Sequence, residues 1–275
     1  MDARWITFDP YRTLGLAGVD YLKPELMFRE QQRLRAARGV LFPEYWQVNT
    51  LLYGFGKRVF PSPASYHLGH DKAEQTRALW ALCPEHVPHT AIHAATPAAL
   101  EQILDEFAFP LVAKELRNSM GRGVHLLDGP RALRAYAERN PVLYVQEYLP
   151  LQRDLRVVFV GDEVATAYWR HMGADGFHTN VAQGGTVDFA GVPTEALALV
   201  RWVARGLGVD HAGFDVAEVE GRYYFLEFNV RFGNQGLREH GVDLVGLIRR
   251  YLGMDGGRVG ESQGGSRGGS SSIPR

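Results

Sequence analysis

The stretch from 211 to 236, HAGFDVAEVEGRYYFLEFNVRFGNQG, constrains the fold most, because it has the pattern of two strands joined by a tight turn. Apolar and aromatic residues stand on both sides of the turn-forming pair Glu220-Gly221. A hairpin with so much apolar content is expected to be largely buried. The rest of the chain must therefore supply layers that cover it.

Three oxygen donors interrupt this apolar hairpin. Glu227 and Asn229 are two positions apart, so their side chains leave the same face of a strand, and Asp215 on the first strand can reach that face. Buried carboxylates are costly unless they are paired or bound to a metal, and oxygen donors suit Mg²⁺. The alternative is a hairpin whose polar residues face solvent. The pattern leaves both interpretations open.

Composition places the chain among ordinary globular proteins and excludes several functional classes. Of its 275 residues, 45% are hydrophobic and 22% are charged, and the formal net charge is −1. With no excess of positive charge, we expect no nucleic-acid partner and no binding to anionic membranes. The chain is long enough to bury one large core or two to three smaller ones.

Targeting and redox signals indicate a cytoplasmic protein. The first residues, MDARWITFDPYR, do not resemble a signal peptide, and no apolar run reaches the length of a membrane span. The single cysteine, Cys83, excludes an internal disulfide and a cysteine-rich zinc site. The oligomeric state is left open, with a homo-oligomer among the options.

The N-terminal region has the alternation that is typical of a small parallel sheet. Strands are predicted at 5–8, 39–42 and 56–60, with helices at 24–38 and 45–53 between them. This order indicates an α/β fold class. No GxGxxG motif is present, so no dinucleotide site is predicted there.

Further helices and strands follow in mixed order. Helices are predicted at 72–82, 97–107, 131–139, 194–207 and 241–252. Strands are predicted at 110–114, 124–127, 142–148, 155–160 and 163–170. Residues 253–275 are dominated by Gly, Ser and charged residues, and we expect a disordered tail.

Two segments have weak nucleotide-binding features. Lys114 ends an apolar strand before the loop 117–123, whose glycines would let the backbone fold over a phosphate, although an ordinary hairpin loop fits equally well. The segment Glu147-Tyr148-Leu149 leaves another strand. It could be a hinge that binds an adenine edge, or simply the end of a strand.

Taken together, five blocks resemble the ATP-grasp superfamily, and most closely its RimK-like branch of carboxylate–amine ligases. They occur in the order that the family has, between about 69 and 252: GHDKAEQTRALW with VPHT, FPLVAKELRNSMGRGVHLL, YVQEYLPLQRDLRVVFVGDEVATAYWR, FHTNVAQGG and AGFDVAEVEGRYYFLEFNVRFG. The resemblance implies an ATP-grasp fold. It also implies a shortened pre-ATP-grasp α/β domain at 1–66, a grasp domain at 67–252 and the disordered tail after it. The grasp domain would consist of a nucleotide-binding lobe at about 85–150 and a catalytic lobe at about 151–252.

The resemblance also implies roles for single residues. It makes Lys72 and Lys114 phosphate ligands, places Asp154 near the ribose and Asn180 beside the phosphates, and makes 147–149 the adenine hinge. Arg170 and Arg156 would line the acyl-transfer centre. A surface ion pair is the alternative for each arginine, and for Arg156 the expected partner is the nearby Asp154. Metal ligands would be Asp215, Glu227 and Asn229.

The chain departs from the RimK-like pattern at two of the positions that distinguish subfamilies. His178 stands where relatives often have Arg, and the chain continues Val-Arg-Phe-Gly after Asn229 where many have Pro-Gly. The Glu-x-Asn-x-Arg pattern is similar to that of biotin carboxylase, which makes Arg231 a candidate clamp on an acyl phosphate.

The activity implied is ligation of a carboxylate and an amine, with ATP and Mg²⁺, or Mn²⁺ as the alternative metal. The γ-phosphate would activate the carboxylate as an acyl phosphate, which an amino acid or peptide amine then attacks. Two competing hypotheses are a kinase that stops at phosphoryl transfer and a nucleotide-binding module without turnover.

Overall fold

The N-terminal strands form a four-stranded parallel sheet in a computed structural model that describes residues 4–117, 123–171, 186–233 and 235–254. The order is β2-β1-β3-β4, and the strands are β1 (Trp5–Thr7), β2 (Val19–Tyr21), β3 (Gly39–Leu41) and β4 (Val59–Phe60). The parallel sheet is as predicted, but β2 was missed. This edge strand is partly exposed, so it lacks the apolar run that marks β1 and β3.

The N-terminal helices are α1 (Gln31–Ala36), α2 (Tyr45–Asn49) and α3 (Pro63–Leu68). Helix α2 continues as a π-helix over Thr50–Gly54, so the predicted helix at 45–53 is confirmed. The prediction of one helix over 24–38 is wrong, because a separate 3₁₀ turn (Pro24–Leu26) precedes α1. Helix α3 was not predicted, although Pro63 is favourable in a first helical turn and Ser62 Oγ accepts from Ser65 N there at 3.0 Å.

The second sheet has four antiparallel strands in the order β5-β8-β6-β7, with helices on one face. The elements in chain order are α4 (Lys72–Leu82), β5 (Thr90–Ala94), α5 (Pro97–Glu106), β6 (Leu111–Lys114), β7 (Val124–Leu127), α6 (Pro130–Ala137) and β8 (Val142–Glu147). One face packs on α5 and α6 through a buried cluster that includes Ile103, Leu133 and Val145. The opposite face carries polar side chains.

The third sheet has five strands in the order β11-β10-β9-β12-β13. Its elements, with the helices that follow, are β9 (Arg153–Val160), β10 (Glu163–His171), β11 (Val187–Asp188), α7 (Thr194–Leu207), β12 (His211–Val219), β13 (Arg222–Asn229), α8 (Gln235–Glu239) and α9 (Leu244–Leu252). The predicted hairpin is confirmed as β12 and β13. Glu220 and Gly221 both have positive φ, at 51° and 76°, as a tight turn between twisted strands requires.

The two faces of β9 show how this sheet is used. Leu155, Val157 and Phe159 belong to the core beneath α7, whereas Val158 and Val160 pack against Trp5, Phe60 and other residues of the N-terminal sheet. At the other end of this second face the residues are Asp154 and Arg156. The face is therefore apolar where it joins the N-terminal sheet and charged beyond it.

Among the described residues, no helix is long and apolar enough to cross a membrane. The boundary between the N-terminal and grasp domains at residue 66 stays a prediction, because the two regions share a buried cluster. Of the predicted tail, only Gly253 and Met254 lie within the described residues.

Candidate active site

Four polar side chains lie in register across four adjacent strands of the five-stranded sheet. Tyr168 of β10 pairs with Arg156 of β9, Arg156 with Asp215 of β12, and Asp215 with Glu227 of β13. Directly paired residues of neighbouring strands point to the same face. The antiparallel pairing thus builds one polar row from four separate segments, and it confirms that Asp215 shares a face with Glu227.

Arg156 and Asp215 of this row form linked, buried ion pairs with Arg170 and Asp154. Arg170 Nε and Nη2 donate to the Asp154 carboxylate at 2.8 and 2.6 Å, and Arg170 Nη2 also lies 3.0 Å from Asp215 Oδ1. Arg156 Nη2 donates to Asp215 Oδ2 at 3.1 Å. Burial acts to lower the pKa of Arg170, but the carboxylates of Asp215 and Asp154 outweigh it and hold that pKa above its usual value.

These contacts correct the expected partner of Arg156. A surface ion pair with Asp154 was the alternative to a role in catalysis, but Asp154 pairs with Arg170, and Arg156 pairs with Asp215. The register explains the exchange, because Arg170 stands opposite Asp154 and Asp215 stands opposite Arg156. Neither arginine is a surface residue.

Helix α4 brings Lys72 to Glu227. Lys72 opens the helix, is 8% exposed, and places Nζ 3.3 Å from Glu227 Oε2. One turn on, the Gln75 amide donates to Phe228 O at 2.8 Å and accepts from Phe228 N at 2.9 Å, which ties α4 to β13. Asn229 Nδ2 donates to Glu227 Oε1 at 2.9 Å, so Glu227 lies between Lys72 and Asn229.

Lys114 lies on the polar face of the second sheet. Its Nζ donates to Gln146 Oε1 at 2.7 Å and to Leu226 O at 3.2 Å, so it reaches from β6 to the hairpin. Burial lowers the pKa of Lys114 to about 8, although Glu227 acts in the opposite direction. Gln146 is held in turn by Thr90 Oγ1, to which its Nε2 donates at 2.8 Å. Lys72 and Lys114 therefore both approach Glu227 from outside its sheet.

The predicted hinge lies where the chain passes from the second sheet to the third. Glu147 ends β8 and its side chain accepts from His89 N at 2.6 Å. Tyr148 and Leu149 follow and are partly exposed, and β9 begins at Arg153. The segment therefore has the position of a linker between the second and third sheets.

The donors predicted for a metal fit a hard cation. Asp215, Glu227 and Asn229 offer two carboxylates and an amide oxygen on one face, and Asp215 Oδ1 accepts no regular hydrogen bond although it lies in ion pairs. No group of three or more His, Cys, Asp or Glu suited to a metal occurs within the described ranges. The protein would thus supply two carboxylates and one amide oxygen to a metal site. Mg²⁺ accepts such a set when substrate oxygens and water complete its coordination shell.

Arg231 lies apart from the other two candidate arginines. It lines a cleft of about 230 Å³, whose lining also includes His70, Asp71, Lys72, Glu227 and Asn229. Its Nη2 is 3.8 Å from Glu44 Oε2, and its guanidinium lies 5.6 Å from the ring centroid of Tyr45. The structure therefore places Arg156 and Arg170 together and Arg231 beside the N-terminal region.

Some predicted features lie outside the described residues. They are Asn180, His178 and the centre of the loop 117–123. The roles assigned to them stay predictions.

Sequence reasoning missed several residues that contact the site. Gln146 and Gln75 are buried amides, at 3% and 4% exposure, that position Lys114 and α4. Tyr168 stands opposite Arg156, and burial raises its pKa. The sequence did contain a signal for Gln146, which is a polar residue in the mainly apolar strand Val142–Glu147. Its role could not be predicted because its hydrogen-bond partners lie on other strands.

Comparison with known proteins gives the family. The model of the RimK-like ATP-grasp domain matches residues 70–252, which is more than half of the chain. The chain belongs to the RimK-like ATP-grasp family. The resemblance stated from the sequence blocks is thereby confirmed.

The curated proteins that this chain resembles are named as ligases. A probable alpha-L-glutamate ligase of Parasynechococcus marenigrum is 33% identical over 165 residues, which cover 56% of the chain and 35% of the relative. A ribosomal protein bS6–L-glutamate ligase of Escherichia fergusonii is 31% identical over 150 residues, covering 52% of the chain and 50% of the relative. The chain therefore spans half or less of the length of these relatives.

Solved structures confirm the ATP-grasp fold. A RimK-domain ATP-grasp protein from Sphaerobacter thermophilus superposes with a TM-score of 0.67 at 20% identity, covering 90% of this chain and 99% of that one. D-alanine–D-alanine ligase from Bacillus anthracis gives a TM-score of 0.69 at 13% identity, covering 91% and 97%. At these identities the likeness concerns the fold alone.

Proposed function

We propose that this family member is an ATP- and Mg²⁺-dependent carboxylate–amine ligase that works through an acyl phosphate in the cytoplasm. The observation that carries the proposal is the arrangement of cations on both sides of the metal donors. Lys72 and Lys114 approach Glu227 from one side, and Arg156 and Arg170 flank Asp215 on the other. The names of the curated relatives support the same class, and they make L-glutamate the first amine to test.

In the proposed mechanism, the two lysines and the two arginines act on different charges. Lys72 and Lys114 hold phosphate oxygens in line with the attacking carboxylate, and 147–149 bind the adenine edge, with Asp154 toward the ribose and Asn180 beside the phosphates. Asp215, Glu227 and Asn229 would hold Mg²⁺, which when bound withdraws charge from the phosphates. Arg170 and Arg156 stabilise the oxyanion that forms when the amine attacks the acyl group.

The pairing of Arg170 with Asp154 and Asp215 supports the electrostatic part of this proposal. Because the carboxylates fix both guanidiniums and keep Arg170 charged, these donors are oriented before a negative charge develops. These arginine side chains then need to move less when the oxyanion forms.

The test follows ADP release with a panel of carboxylic acids, first with hydroxylamine and then with L-glutamate. We expect ATP cleavage to require the acid, a hydroxamate to form with hydroxylamine, and ADP, phosphate and an amide to form in equal amounts with the amine. A stable phosphorylated product without free phosphate would establish a kinase instead. ATP binding without cleavage across the panel would establish a binding module.

Glu227→Gln tests the metal site within the same assay. The substitution removes a charge but little volume, so we expect ADP release to fall about a hundredfold or more while circular dichroism and melting temperature stay near wild type. Glu163→Gln, at an exposed end of β10, is the control and should retain activity. Near-normal turnover by Glu227→Gln would contradict the metal assignment.

A further inference from the structure

The cleft of about 230 Å³ is lined by two of the proposed metal donors, Glu227 and Asn229, and by residues outside the hairpin. Lys72 and Glu227 are among its more buried charged residues, with side chains 9% and 20% exposed. The lining also includes Arg231, His70 and Tyr45, the last of which belongs to helix α2 of the N-terminal region. A ligand that fills the cleft would thus touch both the proposed reaction centre and the N-terminal region.

Tyr45 and His70 form an aromatic wall in this cleft. Their ring centroids are 4.2 Å apart with planes tilted by 33°. Tyr45 also packs edge-on against Tyr66 at 5.2 Å, and the buried Tyr66 donates through its hydroxyl to Pro43 O at 2.8 Å. The wall is therefore fixed from behind and offers an apolar surface to a carbon chain.

Arg231 is held over this wall with donors available to an anion. Its guanidinium is 5.6 Å from the Tyr45 centroid, its side chain is 45% exposed, and its ion pair with Glu44 is long, at 3.8 Å. Ion pairs of this length and exposure contribute little to stability. A carboxylate can bind a guanidinium through two parallel hydrogen bonds and would compete well with Glu44.

A second cation adds to the positive charge along the cleft. Arg117 lies in the cleft lining with its Nε 3.3 Å from Asp71 Oδ2. The Asp71 carboxylate also accepts from Ala73 N at 3.0 Å as the N-cap of α4, so its charge is shared with the helix. Two guanidiniums therefore line the cleft, which favours an anionic ligand.

We propose that the cleft binds the acid substrate as a dianion, with the carboxylate to be phosphorylated beside Lys72 and Asn229 and a second anionic group on Arg231. Tyr45 and His70 contact the carbon chain between the two groups. This inference rests on the proposed function and changes the assignment of Arg231, which recognises substrate rather than clamping the acyl phosphate.

The test measures binding of two probes by calorimetry, with and without the ATP analogue Mg-AMPPNP. Glutarate carries two carboxylates, and butyrate has a four-carbon chain with one. We expect wild type to bind glutarate more tightly than butyrate. Arg231→Gln should weaken glutarate binding about tenfold to hundredfold, because charge-assisted hydrogen bonds are lost, while butyrate binding hardly changes.

Two further variants make the test specific. Tyr45→Leu should weaken both probes, because both carbon chains lose the aromatic wall. Arg250→Gln is the matched control, since Arg250 is also exposed and its ion pair with Glu163 is 3.4 Å long. It should bind both probes like wild type, and Mg-AMPPNP affinity should be unchanged in Arg231→Gln.

The outcomes separate this inference from the proposed function. Equal affinity of wild type for glutarate and butyrate, no glutarate binding, or wild-type glutarate affinity in Arg231→Gln would each overturn the dianion site. A loss of Mg-AMPPNP binding in Arg231→Gln would place Arg231 in the nucleotide site and overturn it as well. Failure of wild type to bind Mg-AMPPNP would instead count against the proposed ligase, whatever glutarate does.

Discussion

At the scale of single residues, the burial of Lys114 is consistent with its proposed role as a phosphate ligand. Its amine is buried between Gln146 Oε1 and Leu226 O, and desolvation lowers its pKa to about 8. In the proposed complex, a phosphate would offset part of this desolvation with a negative charge.

Lys114→Met should weaken Mg-ATP binding about tenfold or more, because a charged contact to phosphate is lost. The melting temperature without nucleotide should change little, because Met fills similar space and removes a buried charge. Calorimetry and thermal unfolding measure the two effects, with Lys23→Met at an exposed position as the control. A large drop in melting temperature with unchanged affinity would mean that Lys114 is structural.

The pH dependence of nucleotide binding should report the same lysine. Since the pKa of Lys114 is about 8, the amine loses its proton above that pH, and wild-type affinity for Mg-ATP should fall there. Lys114→Met should lack this fall. The free energy of unfolding should change in the opposite direction. Between pH 8 and 10.5 the unfolded chain binds more protons than the folded chain, so the destabilisation from burying Lys114 decreases as pH rises through that window.

At the scale of elements, the polar row depends on a glycine in strand β12, whose missing side chain leaves space. Gly213 stands opposite Asn229 and Val158, two pairs along from the Asp215 row and on the same face. A Cβ at Gly213 would lie 2.7 Å from Arg156 Nη1 and 3.2 Å from Phe232 Cβ. Glycine therefore gives Arg156 the space in which it reaches Asp215.

Gly213→Ala should displace Arg156 from Asp215, because the end of a long side chain moves more easily than the packed Phe232. We expect kcat for ADP release to fall about a hundredfold, as a shift of about 1 Å in a positioned group can cause. Urea unfolding should show a smaller effect. Gly129→Ala is the control, since a Cβ there meets nothing within 4 Å; unchanged kcat in Gly213→Ala would contradict the role of Arg156.

At the scale of the whole molecule, His211 joins the N-terminal sheet to the hairpin. Its ring stacks on Phe232 with centroids 4.8 Å apart and packs edge-on against Phe42 and Phe60 at 5.5 and 5.6 Å. Its Nδ1 lies 3.1 Å from Val230 O. Burial lowers the pKa of His211 to about 3, so this aromatic cluster requires a neutral imidazole.

Acidification should therefore weaken the junction between the two regions. The unfolded chain binds more protons between pH 6.5 and 3, so stability that is present above 6.5 is lost as pH falls through this window. The limit for one group is about 1.4 kcal/mol per pH unit. Urea unfolding at pH 7 and pH 5 should show that His211→Gln loses less stability than wild type, whereas His67→Gln, at an exposed histidine, behaves like wild type. Equal losses in wild type and His211→Gln would contradict this account.

The sequence by itself determined the features that depend on local geometry. The period of two along β13 put Glu227 and Asn229 on one face, and Glu220-Gly221 supplied the positive φ values of the turn. The helices predicted at 72–82 and 97–107 begin as expected, directly after the N-caps Asp71 and Thr96. These features rest on interactions within a few residues, so a single sequence contains them.

Only the tertiary structure decided which charges meet. Asp154 stands opposite Arg170 instead of pairing with Arg156, and Lys114 reaches Gln146 and Leu226. Arg231 lies over Tyr45, away from the other arginines. Each of these contacts joins segments far apart in the chain, and strand order and register, which no local pattern encodes, bring them together.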